Sequence, residues 1–247
     1  MAGTAVRGRL TWQVAGVTSV RPETAAVRTI GLDVPGWDGH QAGQHVDIRL
    51  TAEDGYVAER SYSIASAPGE PVELTVERLE DGEVSPYLTE ELRPGDEIEI
   101  RGPIGGYFVW EDGEAAPLLL VAGGSGVVPF RSMLRRRAQI GSLVPVRLLY
   151  SARSWPEVIY RAELEQPGPG AEVVYTLTRN QPSSWTGHSG RVDAKLLTEV
   201  AWPVERGPLT FVCGPTAFVE IVAATLVSLG HPAERIKTER YGGTEAK

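Results

Sequence analysis

Two rhythms of apolar and polar positions divide the chain. Between about residues 9 and 112, short β-branched and alternating runs (Gln13–Val20, Ala26–Leu32, His45–Leu50, Ser61–Ala65, Val72–Arg78, Glu97–Arg101) are separated by clusters of Pro, Gly and Asp. An alternation of period two buries one face of each strand, so these residues predict an antiparallel barrel or sandwich. The stretch Ser85–Leu92 interrupts the pattern and predicts one short helix. Ser85 is its expected cap, Pro86 its first residue, and it ends before Pro94-Gly95-Asp96.

After the polar link Glu111–Ala116 the rhythm changes. Apolar runs Leu118–Ala122, Val146–Tyr150, Val173–Leu177 and Leu209–Cys213 alternate with the helical candidates Val128–Ile140, Pro156–Glu165, Ala194–Val200 and Ala217–Leu229. Fully apolar strands alternating with helices predict a parallel sheet covered on both faces. The expected organisation is therefore two domains, an antiparallel β-barrel over residues 1–112 and an α/β parallel-sheet domain over residues 113–247.

Composition narrows the function. A net charge of -8 leaves no excess of base to neutralise a phosphate backbone, which argues against nucleic-acid binding. The single cysteine, Cys213, closes no intrachain disulfide and supports no cysteine-ligated iron–sulfur cluster or zinc site in this chain. The longest apolar runs are too short to span a bilayer, and residues 1–13 hold no signal-like apolar stretch, so the expectation is a cytoplasmic protein with no membrane role. The four histidines are scattered without metal-ligand spacing, which predicts no metal site and leaves them as surface or core residues.

Two segments carry candidate chemistry. Leu118–Ala122 runs into Gly123-Gly124-Ser125-Gly126-Val127-Val128-Pro129, a strand-to-helix turn where glycines let a pyrophosphate reach backbone amides and the helix dipole. The bland alternative is a tight turn with no ligand; Pro129 stands where the usual dinucleotide fingerprint has its third glycine. Arg60-Ser61-Tyr62-Ser63 offers a guanidinium for phosphate, a ring to stack on a flat heterocycle, and hydroxyls for a ring nitrogen. On spacing alone it is equally a barrel strand with a polar outer side.

Taken in order, Arg60-Ser-Tyr-Ser63, Gly82-Glu-Val-Ser85, Gly123-Gly-Ser-Gly126 with Pro129, and Cys213-Gly-Pro215 resemble the signature of the ferredoxin–NADP+ reductase superfamily, and together they cover nearly the whole chain. The resemblance implies an FAD-binding barrel, a nicotinamide-dinucleotide domain, and hydride transfer between the two cofactors. It implies that Arg60 holds the flavin pyrophosphate, Tyr62 packs on the isoalloxazine, and Ser61 and Ser63 line the same site, with Ser63 near N5. Gly82, Val84 and Ser85 would close over the pyrophosphate. Gly123, Gly124, Ser125, Gly126 and Pro129 would receive the dinucleotide, and Cys213-Gly214-Pro215 would lie under the nicotinamide. Cys213 alone reads equally as core.

For a cofactor with a 2′-phosphate, added positive charge is needed, and family members that use NADPH place a serine and arginines after the second and third strands of this domain. Ser151, Arg153 and Arg179 match and point to NADPH, with NADH the other possibility and Arg191 a weaker candidate; an arginine at a strand end is otherwise a surface residue. Ile236–Gly243 resembles the family's last strand, which makes Glu239 and Tyr241 candidates for proton handling and for covering the flavin. Several members end on that aromatic, whereas this chain continues through Gly242–Lys247, a stretch otherwise read as a tail without a role.

Arg135-Arg136-Arg137 is read as a solvated helix face, with a docking patch for an acidic ferredoxin the sharper alternative. Tyr107–Trp110 is expected to close the barrel. The resemblance implies a monomeric reductase that passes electrons to a ferredoxin or to the iron–sulfur component of an oxygenase. Reduction of free flavin, quinone or another small acceptor, and a flavin-binding subunit of a larger complex, are the alternatives.

Overall fold

The computed structural model of the protein describes residues 10–242. Six strands form the first sheet: β1 (Gln13–Pro22), β2 (Val27–Asp33), β3 (His45–Thr51), β4 (Val57–Ser63), β5 (Val72–Glu77) and β6 (Glu97–Ile104). Their order is β4-β3-β6-β1-β2-β5, all neighbours antiparallel. A bridge between Ile64 and Leu74 joins the two ends, so the sheet closes into a barrel as the alternation required. The barrel core is the inward set of each strand, including Ile30, Val46, Ile48, Leu74 and Ile100, each no more than 1% exposed.

The Ser85–Leu92 expectation needs two corrections. Its regular part, Tyr87–Glu91, is a π-helical turn with no side-chain cap. Ser85 instead turns its hydroxyl back to accept from the Leu79 amide at 3.0 Å, so it braces the preceding loop. Leu88 and Leu92 from this turn join the barrel core.

The second sheet is parallel, with strands β7 (Leu118–Gly123), β8 (Val146–Ser154), β9 (Ala171–Asn180), β10 (His188–Ser189), β11 (Leu209–Pro215) and β12 (Ile236–Tyr241) in the order β10-β9-β8-β7-β11-β12. Helices α1 (Val128–Gln139), α2 (Arg161–Leu164), α3 (Ala194–Val200) and α4 (Thr216–Ser228) connect them. Central strand β7 shows why its sequence is continuously apolar. Leu118, Leu120 and Ala122 pack on one face with Phe130 and Met133 of α1, while Leu119 and Val121 pack on the other with Val219, Val222 and Leu226 of α4.

Helix α2 is much shorter than Pro156–Glu165. The chain makes a 3-10 turn at Trp155–Glu157, runs extended, and places Tyr160 in the left-handed region at φ 57° before the four residues of α2. Tertiary contacts override local propensity here. The Ile159 amide donates to the Tyr150 hydroxyl at 3.2 Å, and the Tyr160 hydroxyl donates across the domain boundary to Thr75.

Tyr107–Trp110 does not close the barrel. Strand β6 ends at Ile104, and buried Phe108 and Trp110 belong to the core of the second domain, where Phe108 meets the Phe211 ring edge-on at 5.2 Å. The expected solvated face of α1 is also corrected. Arg137 is only 3% exposed and donates to the carbonyls of Val144 and Pro169, both at 2.7 Å, while Arg136 pairs with Asp112 and Arg135 with Glu163 and Glu70. Each of these arginines is engaged by a partner within the chain, Arg137 buried and Arg135 and Arg136 partly exposed. Arg131, 5% exposed, ties the two domains by pairing with Glu73 of β5 at 2.8 Å and with Glu163 of α2 at 2.9 Å.

Candidate active site

An open cleft runs between the barrel and the parallel sheet. Strand β4 supplies Arg60, Ser61, Tyr62 and Ser63, the end of β5 supplies Thr75 and Glu77, and the Gly82–Ser85 segment forms one end. Ser125, Val128, Tyr241 and Gly242 reach it from the second domain. Residues far apart in sequence thus share one cavity.

Alternation along β4 assigns the side chains. Tyr62 packs against the barrel core with its ring in the cleft, and burial pushes its phenol up to about 12, so it stays neutral. Ser61 points to the neighbouring strand, where its hydroxyl donates to Asp47 at 2.6 Å, so its hydroxyl is already engaged. Arg60 reaches the cleft and is paired there with Glu83. A guanidinium, phenol rings and hydroxyls along an elongated cleft fit a flavin dinucleotide, whose diphosphate needs a fork of donors and whose ring system needs flat apolar walls.

The dinucleotide turn packs against the end of β11. An added Cβ at Gly126 would lie 2.1 Å from the Cys213 carbonyl oxygen, one at Gly123 would lie 2.9 Å from the Phe218 ring, and one at Gly214 would lie 2.7 Å from the same ring. Gly124 adopts φ +55°, which favours glycine, and its added Cβ would lie 2.9 Å from the Tyr241 hydroxyl. Packing therefore demands these glycines whatever binds. Pro129 sits in the first turn of α1, where its missing N–H costs nothing.

Cys213 lies near the C-terminal end of β11, between Ala122 of β7 and Glu239 of β12, while Pro215 pairs with Tyr241. Burial first, and the Glu239 charge second, push the Cys213 thiol well above its ordinary value, so it is a neutral thiol. Burial pushes Glu239 up to about 7, and its Oε2 is buried without a hydrogen-bond partner. Such a carboxyl changes charge near neutrality and is suited to holding or releasing a proton.

Sequence reasoning missed His45. It stands opposite Ser63 in the β3–β4 register, and its Nδ1 lies 3.7 Å from Oε1 of Glu239. Burial lowers the imidazole's pKa and raises that of Glu239, so both favour their neutral forms and the contact is no fixed ion pair. Strand alternation puts His45 on the face of Asp47; only the hairpin register and the fold of the second domain bring it to Glu239.

Ser151, 8% exposed, lies in β8 beside Gly123 of β7. Arg153 and Arg179 are exposed near the C-terminal ends of the adjacent strands β8 and β9. Neither joins any ion pair among the described residues. Arg191 is likewise exposed, in the loop before α3. The tail beyond Gly242 lies outside the described residues. Among the described residues no helix is long and apolar enough to cross a membrane, and no group of three or more His, Cys, Asp or Glu is placed to hold a metal ion.

The barrel, the parallel sheet and the cleft between them define a flavin- and nicotinamide-dependent oxidoreductase. Family comparison agrees: residues 17–109 match the oxidoreductase FAD-binding domain and residues 120–224 the oxidoreductase NAD-binding domain. The chain is 38% identical over 241 residues to ferredoxin–NADP reductase B of Sorangium cellulosum, covering 92% of this chain and 96% of that one. It is 33% identical to the glycine betaine monooxygenase reductase subunit of Chromohalobacter salexigens, covering 91% of this chain but only 62% of that longer protein. The FAD/NAD-binding domain of a nitric oxide dioxygenase from Vibrio cholerae superposes with a TM-score of 0.82 at 26% identity, covering 93% of this chain and 98% of that one. The chain belongs to the ferredoxin–NADP+ reductase superfamily and is an FAD-dependent NAD(P)H oxidoreductase.

Proposed function

We propose that the protein takes hydride preferentially from NADPH onto FAD and delivers electrons to a separate ferredoxin or oxygenase-type acceptor, acting as a cytoplasmic monomer. In this reading residues 1–112 hold the flavin and residues 113–247 the dinucleotide. FAD, when bound, would supply the capacity to accept a hydride and to return electrons singly or in pairs. The chain's own residues orient and shield. Arg60 and the Gly82–Ser85 segment hold the diphosphate, Tyr62 and Tyr241 wall the ring system, Gly123–Gly126 and Pro129 position the nicotinamide dinucleotide, and Cys213-Gly214-Pro215 forms the floor beneath its reactive ring. Glu239, with a carboxyl titrating at about 7, is the group that holds a proton beside Cys213 and His45. The names of two relatives support this acceptor: one is a ferredoxin–NADP reductase and another a monooxygenase reductase subunit. One cysteine leaves this chain without a cysteine-ligated cluster of its own.

The preference for NADPH rests on one observation. Arg153 and Arg179 are exposed at adjacent strand ends near Ser151 with no carboxylate engaged among the described residues, and a 2′-phosphate is the anion such a pair would complete. Replacing both arginines by serine is expected to raise KM for NADPH by roughly 10- to 100-fold, the loss of two charge-assisted contacts, while leaving KM for NADH nearly unchanged. Equal effects on the two dinucleotides would remove the basis for the preference.

A further inference from the structure

Arg60, placed above at the flavin diphosphate, has an anion on it already. Its Nη2 pairs with Oε2 of Glu83, and its Nη1 donates to the Glu59 carbonyl at 2.7 Å. The other oxygen of Glu83 accepts from the Tyr56 hydroxyl. Arg60 and Glu83 line the same cleft. The Tyr56 hydrogen bond first, and the Arg60 charge after it, hold the Glu83 carboxyl below the usual carboxylate range, so it is ionised at neutral pH.

The backbone under Glu83 is fixed. Gly82 donates its amide to the Leu79 carbonyl at 3.0 Å, Ser85 accepts from the Leu79 amide at 3.0 Å, and an added Cβ at Gly82 would lie 2.7 Å from the Ser85 hydroxyl. With that backbone held, Glu83 and Arg60 part by rotation of their half-exposed side chains. A carboxylate and a phosphate compete for the same guanidinium fork, and if both stay, two like charges share one site.

We propose that Glu83 limits the affinity of this cleft for FAD: its carboxylate occupies Arg60 in the flavin-free chain and must be displaced, or endured as a neighbouring charge, when the flavin diphosphate binds. Tyr56 is the second seat to which the carboxylate stays attached when it lets go. This rests on the assignment of Arg60 to the diphosphate.

The test measures FAD directly. Flavin release from the diluted full-length holoenzyme is followed by FAD fluorescence, and Kd is obtained by titrating the stripped full-length chain with FAD. Glu83→Gln, a neutral isostere at a half-exposed position, is expected to tighten FAD roughly five- to tenfold, the size of one screened charge contact. In an Arg60→Gln background, which itself weakens FAD, Glu83→Gln is expected to change nothing. Unchanged or weaker binding of Glu83→Gln overturns the proposal, as does equal tightening in both backgrounds, which would mark a general effect of net charge. Undiminished FAD affinity in Arg60→Gln alone would instead overturn the assignment of Arg60 to the diphosphate.

Discussion

The hydroxyl of Tyr241 donates to the carbonyl oxygen of Gly123 at 2.7 Å. The aromatic that follows the last strand's acidic residue is thereby fastened to the first glycine of the dinucleotide turn, and its ring forms part of the cleft wall. In the reading proposed above, a nicotinamide approaching a flavin on this cleft would meet that ring. Tyr241→Ser is expected to tighten NADP+ binding by at least about tenfold, since one aromatic contact is removed from the space the ligand enters. Difference spectroscopy of NADP+ titrations measures this; weaker binding would show that the ring supports the dinucleotide.

Gly126 tests the close approach of the dinucleotide turn to β11. Its added Cβ would lie 2.1 Å from the Cys213 carbonyl oxygen and 2.8 Å from the Gly214 nitrogen, both backbone atoms that cannot rotate aside. Gly126→Ala is expected to destabilise the chain by about 2–4 kcal/mol through overpacking. Urea denaturation gives the value, and a change below about 0.5 kcal/mol would mean that the turn relaxes freely.

Glu239 makes stability depend on pH. Burial raises its folded pKa from 4.5 to about 7, so between those values the folded chain keeps a proton that the unfolded chain has released. Stability from this group therefore falls as pH rises from about 4.5 to about 7 and stays low above that. Glu239→Gln is expected to be more stable than the parent by on the order of 2 kcal/mol at about pH 8, with the difference vanishing below about pH 4.5. His45, lowered by burial, titrates with the opposite sign and lies 3.7 Å from Glu239, so the difference reports the carboxyl together with its effect on this neighbour. Melting curves across that range check it, and a gap independent of pH would rule out a raised carboxyl.

Much of the fold is legible because its strands carry their environment in their composition. Leu118–Gly123 is apolar at every position because both of its faces are covered, whereas Val46 and Ile48 alternate with Asp47 and Arg49 because only one face of β3 is. Strand β4 begins at Val57, earlier than the alternation suggests, because Glu59 and Arg60 are exposed and polar on consecutive positions. Arg135 and Arg137 look like a solvated triplet with Arg136, yet their partners Glu163, Val144 and Pro169 are supplied by segments that only the tertiary fold brings near. The approach of His45 to Glu239 is of the same kind: a strand register and a domain contact create it, and neither leaves a mark in local sequence.

The most direct measurement is anaerobic stopped-flow mixing of the flavin-loaded protein with NADPH or NADH. Rapid loss of the flavin absorbance near roughly 450 nm, a property of the cofactor, is expected, faster with NADPH than with NADH, followed by recovery when an oxidised ferredoxin is added. A bound flavin that neither dinucleotide reduces would contradict it.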